Sequence, residues 1–323
     1  MRFHPSRIVL LAAVALAAMC NGAQAAFPDT PIKLVTPFPP GGQVPTMAYM
    51  LAMRMGTALG QPVVLEPRPG AGGTIAASAV AKAPKDGYTL LFATSGMLGI
   101  AKYQQKDLAY DPVADFAPIA HLGVVAVGVF ASNQAGIATP EQLLAAARAN
   151  PGKINFSSPG IGSVSHLAGE LLKARARVDM VHVPYQGFTA QVTDLIGGRT
   201  ELAFAGMASG LPQVREGRFK LVAIAGKSRS KMTPEVPALG ELLPGYDAPA
   251  WLGIVAPAGT PPDVLSRLEA AAQESLKDPA LLKGLEEQGL DLEVIAGRGF
   301  GDKIRRELPL WEEAVKASST PAR

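Results

Sequence analysis

Apolar, strand-like runs alternate with helical patterns along almost the whole chain. Strand candidates fall at Ile32–Thr36, Val63–Glu66, Tyr88–Ala93, Ile119–Leu122, Val125–Ala131, Ile154–Phe156, Met180–Val183, Leu202–Ala205, Leu221–Ala225, Trp251–Ala256 and Leu292–Ile295. Several are nearly continuous apolar runs, as expected of strands covered on both faces. Strand and helix in strict alternation predict α/β sheets with crossover helices. Helix starts are signalled by Thr139-Pro140-Glu141-Gln142 and Thr260-Pro261-Pro262-Asp263, each a capping residue followed by proline. Two stretches can carry the chain between lobes, near Leu122–Val125 and near Ala248–Trp251. If both cross, residues 26–123 and 250–323 form one lobe and 124–249 the other, with a ligand cleft between them at strand carboxyl ends.

Residues 1–25 read as a secretory signal. Arg2 and Arg7 precede an apolar run of about eleven residues, and Ala23-Gln24-Ala25 supplies an A-x-A cleavage site. The run is too short for a membrane span. Cleavage after Ala25 predicts a periplasmic protein that begins at Ala26. Cys20 invites a lipoprotein reading, but Met19 is bulky where a small residue is needed. Removal of the signal takes away the only cysteine and two basic residues, so the net charge falls from +3 to +1. That balance does not suggest a nucleic-acid partner. Apolar residues make up 48% and charged residues 18%, enough to bury a large core in two domains.

Three loops after strands have the composition of anion cradles. Pro37-Phe38-Pro39-Pro40-Gly41-Gly42 joins the first strand to a helical pattern from about Thr46 to Leu59. Prolines fix φ, glycines admit a ligand close to the backbone, and a helix start offers free N–H groups. A tight turn without a ligand reads the same way. Thr94-Ser95-Gly96 can donate hydroxyls to a carboxylate or serve as ordinary turn residues. Ser157–Ser163 brings Gly160, Gly162 and Ser163 to the start of a helix running to about Arg175. His166, in its first turn, is either an anion donor or a partly buried structural histidine. His182, in a strand, is expected to order its neighbours; Arg68 is either the nearest basic candidate for an anion or a structural arginine that ties a loop to its sheet.

Other chemistries fail in detail. Gly70–Ile75 and Gly160–Ser165 miss the last glycine of the dinucleotide fingerprint, and Gly226-Lys227-Ser228 lacks the glycine five residues earlier that a phosphate loop requires. His121, His166 and His182 lack zinc spacing, and no G-x-S-x-G elbow occurs. No cofactor and no catalytic residue is expected.

Together, the ordered motifs resemble a known family. They are P-F-P-P-G-G (37–42), G-Q-P-V-V-L-E-P-R-P-G-A-G-G (60–73), K-D-G-Y-T-L-L (85–91), Y-D-P-V-A-D-F-A-P-I (110–119), N-P-G-K-I-N-F-S-S (150–158), H-L-A-G-E-L-L-K (166–173), V-D-M-V-H-V-P-Y-Q-G (178–187) and A-P-A-G-T-P-P (256–262). The pattern is similar to the substrate-binding proteins of tripartite tricarboxylate transporters, the Bug family, over essentially the whole chain after the signal. That resemblance implies a two-lobed periplasmic binding protein fold, a small carboxylate ligand, membrane permease subunits as partners, and a monomer. It implies that one carboxylate is held by backbone N–H groups and water between two loops. These are Phe38, Pro39, Pro40, Gly41, Gly42 and Gln43 on one side, and Gly206 and Met207, after the strand Leu202–Ala205, on the other. Thr94, Ser95, Gly160, Gly162, Ser163 and His166 complete the implied site. Tyr185 and Trp251 are either walls of the cleft or lobe packing.

Two departures bear on specificity. Many relatives follow the glycine loop with a G-T-D-like triplet where this chain has Gln43-Val44-Pro45, and many carry Asp where it has Ala205. Loss of both acids, with Met207 and Phe188 adding apolar surface, predicts a non-amino carboxylate, aromatic or with a hydrophobic body. A sensing partner of a membrane receptor kinase and an exported hydrolase are the alternative functions.

Overall fold

The computed structural model describes residues 27–38, 40, 43–185 and 187–318. The expected signal and its cleavage site, and loop positions Pro39, Gly41 and Gly42, lie outside them. Eleven strands occur among the described residues: β1 Ile32–Thr36, β2 Val63–Pro67, β3 Thr89–Thr94, β4 Phe116–Val125, β5 Val127–Ser132, β6 Asn155–Ser158, β7 Val181–Pro184, β8 Leu202–Gly206, β9 Phe219–Ile224, β10 Trp251–Pro257 and β11 Leu290–Ala296. Each expected run holds a strand, with bounds shifted by up to three residues. Val125 is the exception in detail: it ends β4, and β5 begins two residues later.

The strands form two mixed sheets. The first has the order β11-β4-β10-β3-β1-β2 and the second β7-β6-β8-β5-β9. β1 pairs in parallel with both β2 and β3, whereas β10 runs antiparallel between β3 and β4. Neighbouring side chains of one strand enter different cores. Leu34, Leu90, Phe92 and Ile254 meet the helices Gln43–Leu59 and Pro262–Ser275 on one face, and Val35, Leu91 and Val255 meet Ala76, Val80, Phe300 and Ile304 on the other. The second sheet divides alike. Val129, Phe156 and Phe204 pack with Leu143, Leu167 and Leu171, while Phe130, Ala203 and Ala205 pack with Leu195 and Phe219. Burial of both faces explains the unbroken apolar runs in the sequence.

The chain passes between the sheets through Ala126, and again between β9 and β10. These two segments touch: the Val125 N–H donates to the Ala250 carbonyl at 2.7 Å. The last helix, Gly297–Ser318, serves both lobes, although the expected division placed it wholly in the first. Phe300 and Ile304 pack in the first-sheet core, and Trp311, Ala314 and Val315 in the second.

Of the two expected helix caps, one forms. Thr139 Oγ1 accepts from the Gln142 N–H, and Gln142 Oε1 accepts from the Ala138 N–H. Thr260 instead donates its hydroxyl to the Pro257 carbonyl at 2.8 Å, and the helix Pro262–Ser275 begins on Pro261 without a side-chain cap. A threonine hydroxyl that can close its own turn is unavailable to the helix beyond it. No helix among the described residues is long and apolar enough to cross a membrane.

Candidate functional site

Where the lobes meet, the ends of β1, β3, β4 and β6 and the start of β10 enclose a cleft of about 640 Å³. Phe38 follows β1, Thr94 and Ser95 close β3, Gly160, Gly162 and Ser163 follow β6, and Trp251 opens β10; all seven line the cleft. Ligands are expected at such strand ends, where the chain turns away from the sheet and leaves backbone groups unpaired. No Asp, Glu, Lys, Arg or His is among the described residues that line it. Polarity comes from Thr74, Thr94, Ser95, Gln104, Gln105, Ser163, Ser165 and main chain, against an apolar wall of Phe38, Val44, Val125, Ala250, Trp251 and Leu252.

Ser95 is buried at 1% exposure and leads into a π-helical turn, Gly96–Ile100, that continues as the short helix Ala101–Gln104. This wide turn carries Gln104 and Gln105 into the cleft. Neither glutamine belonged to an expected loop, and nothing in the sequence marks the π-turn that delivers them.

The loop after β6 offers fewer donors than the anion cradle expected there. Three of its N–H groups are already occupied: Gly160 donates to Ser158 Oγ at 3.3 Å, Ser163 to the Gly160 carbonyl at 3.3 Å, and Gly162 to His166 Nδ1 at 3.1 Å. Ser163 caps the helix Val164–Ala176 by accepting from the His166 N–H. The loop therefore shapes the cleft through its surface, with Ile161 78% exposed.

His166 does not line the cleft; it is the structural histidine of the two readings. Its Nδ1 accepts, which places its proton on Nε2, 3.8 Å from Glu170 Oε1. Burial pushes its pKa down to about 4, with the Lys173 charge adding to the effect. The His182 ring stacks 4.0 Å away, its Nε2 lies 2.8 Å from Ser158 Oγ, and burial holds its pKa at about 4 as well. Both imidazoles are neutral posts for the loop, and His182 orders its neighbours as expected. Arg68 ties the end of β2 to its sheet: it reaches Glu66 at 2.6 Å and donates its N–H to the Thr36 carbonyl, and its hydrogen bond holds the Glu66 carboxyl below the usual range.

Five other expected positions lie away from the cleft wall. Pro40 is exposed. Tyr185 turns its hydroxyl to Asp194 Oδ2 at 2.6 Å. Met207 is 1% exposed and sits in a small core with Ala126, Leu211, Ile224 and Ala238. Gln43 and Gly206 meet each other across the lobes instead: a Cβ on Gly206 would lie 3.8 Å from Gln43 Oε1, and Gln43 Nε2 donates to the Gln288 carbonyl. Two specificity expectations change accordingly. Met207 adds no apolar surface to the cleft, and Phe188 packs against Phe130 at 6.4 Å. Ala205 is buried among Phe130, Leu195 and Phe219, so an acid missing there says nothing about a ligand ammonium.

Trp251 combines its two expected roles. It lines the cleft, yet it is 1% exposed, meets Phe300 edge-on at 5.2 Å, and donates Nε1–H to Glu307 Oε2 at 2.6 Å.

The chain is similar to proteins of one kind. The family model described as the tripartite tricarboxylate transporter family receptor, TctC, matches residues 47–308. A "UPF0065 protein in tcbD-tcbE intergenic region" from Pseudomonas sp. (strain P51) is 34% identical over 312 residues, 95% of this chain and 93% of that protein. BugT of Bordetella pertussis is 33% identical over 296 residues, 90% of each chain. Among solved structures, a periplasmic transporter superposes with a TM-score of 0.77 at 36% identity, covering 91% of this chain and 99% of the other. An R. palustris protein with adipate gives 0.76 at 28% identity over 90% and 98%. MatC from Rhodopseudomonas palustris with bound malate gives 0.73 at 31% identity over 90% and 100%. With two α/β lobes around a cleft and this match over most of its length, the chain belongs to the tripartite tricarboxylate transporter receptor family, the Bug-type periplasmic solute-binding proteins.

Proposed function

We propose that the protein captures a small carboxylic acid without an amino group, one with an apolar or aromatic body or a di- or tricarboxylate, and presents it to the membrane subunits of a tripartite permease. The observation that carries this reading is the uncharged lining of the cleft among the described residues. An ammonium group would meet no carboxylate there. A ligand carboxylate would be held by hydroxyls, amides and main-chain N–H groups, with the start of the helix Gln43–Leu59 nearby to favour negative charge. The apolar wall suits the rest of such a molecule. Adipate and malate in two related structures support the ligand class.

The exported form would begin at Ala26 and act in the periplasm as a monomer. Mass spectrometry of protein recovered from a periplasmic extract tests that start.

Thermal stability of the ligand-free protein against carboxylic acids and their amides tests the function. An acid present at one hundred times its dissociation constant adds about 2.7 kcal/mol to stability, and its amide adds nothing comparable. Strong selective binding of aspartate or glutamate would overturn the non-amino assignment. The absence of a shift with every aliphatic, amino and aromatic acid would overturn the carboxylate reading itself.

A further inference from the structure

The helix Gly297–Ser318 runs from one lobe to the other, and Glu307 falls on the turn between them. Ile304, three residues before it, packs in the first-sheet core, and Trp311, four residues after it, packs in the second. At this position Glu307 faces the cleft wall from behind. Its Oε2 accepts from Trp251 Nε1 at 2.6 Å, and its Oε1 lies 3.1 Å from Lys303 Nζ. Lys303 is itself 8% exposed and reaches Glu293 of β11 at 3.5 Å. It also lines a second, smaller cavity of about 190 Å³ together with Val124, Ala126 and Asp247.

Apolar packing alone can bury a tryptophan. It does not require a carboxylate, whose desolvation is costly and which needs a lysine beside it. What the carboxylate adds is direction. Phe300 touches the indole edge-on at 5.2 Å and His121 lies edge-on at 6.3 Å, contacts that tolerate rotation of the ring. The short charge-assisted bond to Nε1 fixes that rotation.

We infer that Glu307 is a positioning residue of the ligand cleft: it sets the orientation of the Trp251 wall against which a ligand body packs, and couples that wall to the helix that joins the lobes. This inference rests on the reading of the cleft as a carboxylate site, and deepens it by naming a residue outside the cleft that tunes recognition.

The test uses the exported form with Glu307→Met, Glu307→Met with Lys303→Met, and Glu307→Gln. Methionine fills the volume without a strong acceptor, and the double variant avoids a stranded buried lysine if the single one folds poorly. Glutamine keeps an acceptor for the indole N–H. Native far-UV circular dichroism establishes the fold of each. The expected result is a red-shifted tryptophan emission and acrylamide quenching raised about threefold in the methionine variants, with glutamine restoring the wild-type signal. In a Trp251→Phe background the same substitutions leave the emission of Trp311 unchanged. Calorimetric titration with benzoate and adipate is expected to show affinity about tenfold weaker in the methionine variants and within about threefold of wild type with glutamine.

Folded methionine variants with wild-type emission and wild-type affinity would overturn the inference, as would an emission change that persists in the Trp251→Phe background. If the wild-type protein binds neither probe nor any acid of the wider panel, the carboxylate reading fails, and the emission measurements still decide the role of Glu307.

Discussion

Gln104 and Gly162 join the two lobes across the mouth of the cleft: the Gln104 side-chain amide donates to the Gly162 carbonyl at 3.1 Å. Gln104 ends the short helix beyond β3, and Gly162 lies in the loop after β6. On the other flank Gln43 donates to the Gln288 carbonyl of its own lobe and rests against Gly206 of the second. A hydrogen bond from one glutamine thus clasps the lobes, the other glutamine only packs across them, and neither carries a charge into the cleft.

Loss of the clasp is expected to loosen closure. Gln104→Ala removes one neutral hydrogen bond, worth about 1 kcal/mol, from the closed arrangement alone. Affinity for the bound acid should fall about fivefold. Small-angle scattering should show a larger radius of gyration for the ligand-free variant. Equal affinity and equal scattering would rule out a latch.

Gly162→Ala attacks the same contact from the second lobe and should cost more. Gly162 has φ +79°, a left-handed conformation that alanine adopts at a cost of about 1–2 kcal/mol. A Cβ there would also sit 2.8 Å from both terminal atoms of the Gln104 amide. A lower melting temperature together with weaker binding is expected. Combining Gly162→Ala with Gln104→Ala should recover part of the binding loss, since the collision disappears with the side chain; a fully additive loss would refute the collision.

How far the sequence foretold this arrangement depends on what each feature requires. Strand runs such as Tyr88–Ala93 and Trp251–Ala256 were legible because burial on both faces demands apolar side chains at every position. Loops at strand ends were legible through Gly160, Gly162 and the hydroxyls of Thr94 and Ser95. Orientation was not. Met207 and Ala205 follow or end the right strand, yet each side chain points into a core, because strand parity and helix phase decide the direction and neither is marked by residue type. Gln104 was invisible for a related reason: it reaches the cleft only through the π-turn Gly96–Ile100, which has no residue signature here. The Gly160 and Gly162 N–H groups looked free in sequence although their acceptors, Ser158 Oγ and His166 Nδ1, lie only two and four residues away, because the side-chain rotamer decides whether such local bonds form and residue type does not mark it.

Acid is expected to destabilise the fold through its histidines. Burial lowers His121, His166 and His182 from the ordinary 6.5 to about 4 each. Between pH 6.5 and pH 4 the unfolded chain therefore binds more protons than the folded one, and stability falls as pH falls through that window. Below pH 4 these groups cause no further loss. Burial raises Glu170, Glu307 and Asp247, which oppose the trend at the acid end. The histidine contribution is isolated by His166→Asn, whose Oδ1 can still accept from the Gly162 N–H but does not titrate. Its melting temperature should change less between pH 6.5 and pH 4 than that of the wild type; a parallel profile would show that His166 titrates alike in both states.

Two glycine-to-alanine changes should shift stability in opposite directions. Gly169 lies within the helix Val164–Ala176, where alanine is intrinsically better by about 1 kcal/mol. Its Cβ would, however, fall 2.2 Å from Phe156 Cε2, and Phe156 is fully buried in the second-sheet core and cannot withdraw. Overpacking of this kind costs about 1–3 kcal/mol and should outweigh the gain in propensity. Gly197 offers the contrast. It closes the helix Phe188–Ile196 with φ −74°, and its Cβ would meet nothing closer than the Thr193 carbonyl at 3.4 Å. Gly197→Ala should stabilise by about 0.4–1 kcal/mol, because it narrows the unfolded ensemble without straining the fold. Chemical denaturation of both variants checks the pair. A stabilised Gly169→Ala would mean that the Phe156 ring has room to move, and that the helix is not seated as closely on β6 as the 2.2 Å approach requires.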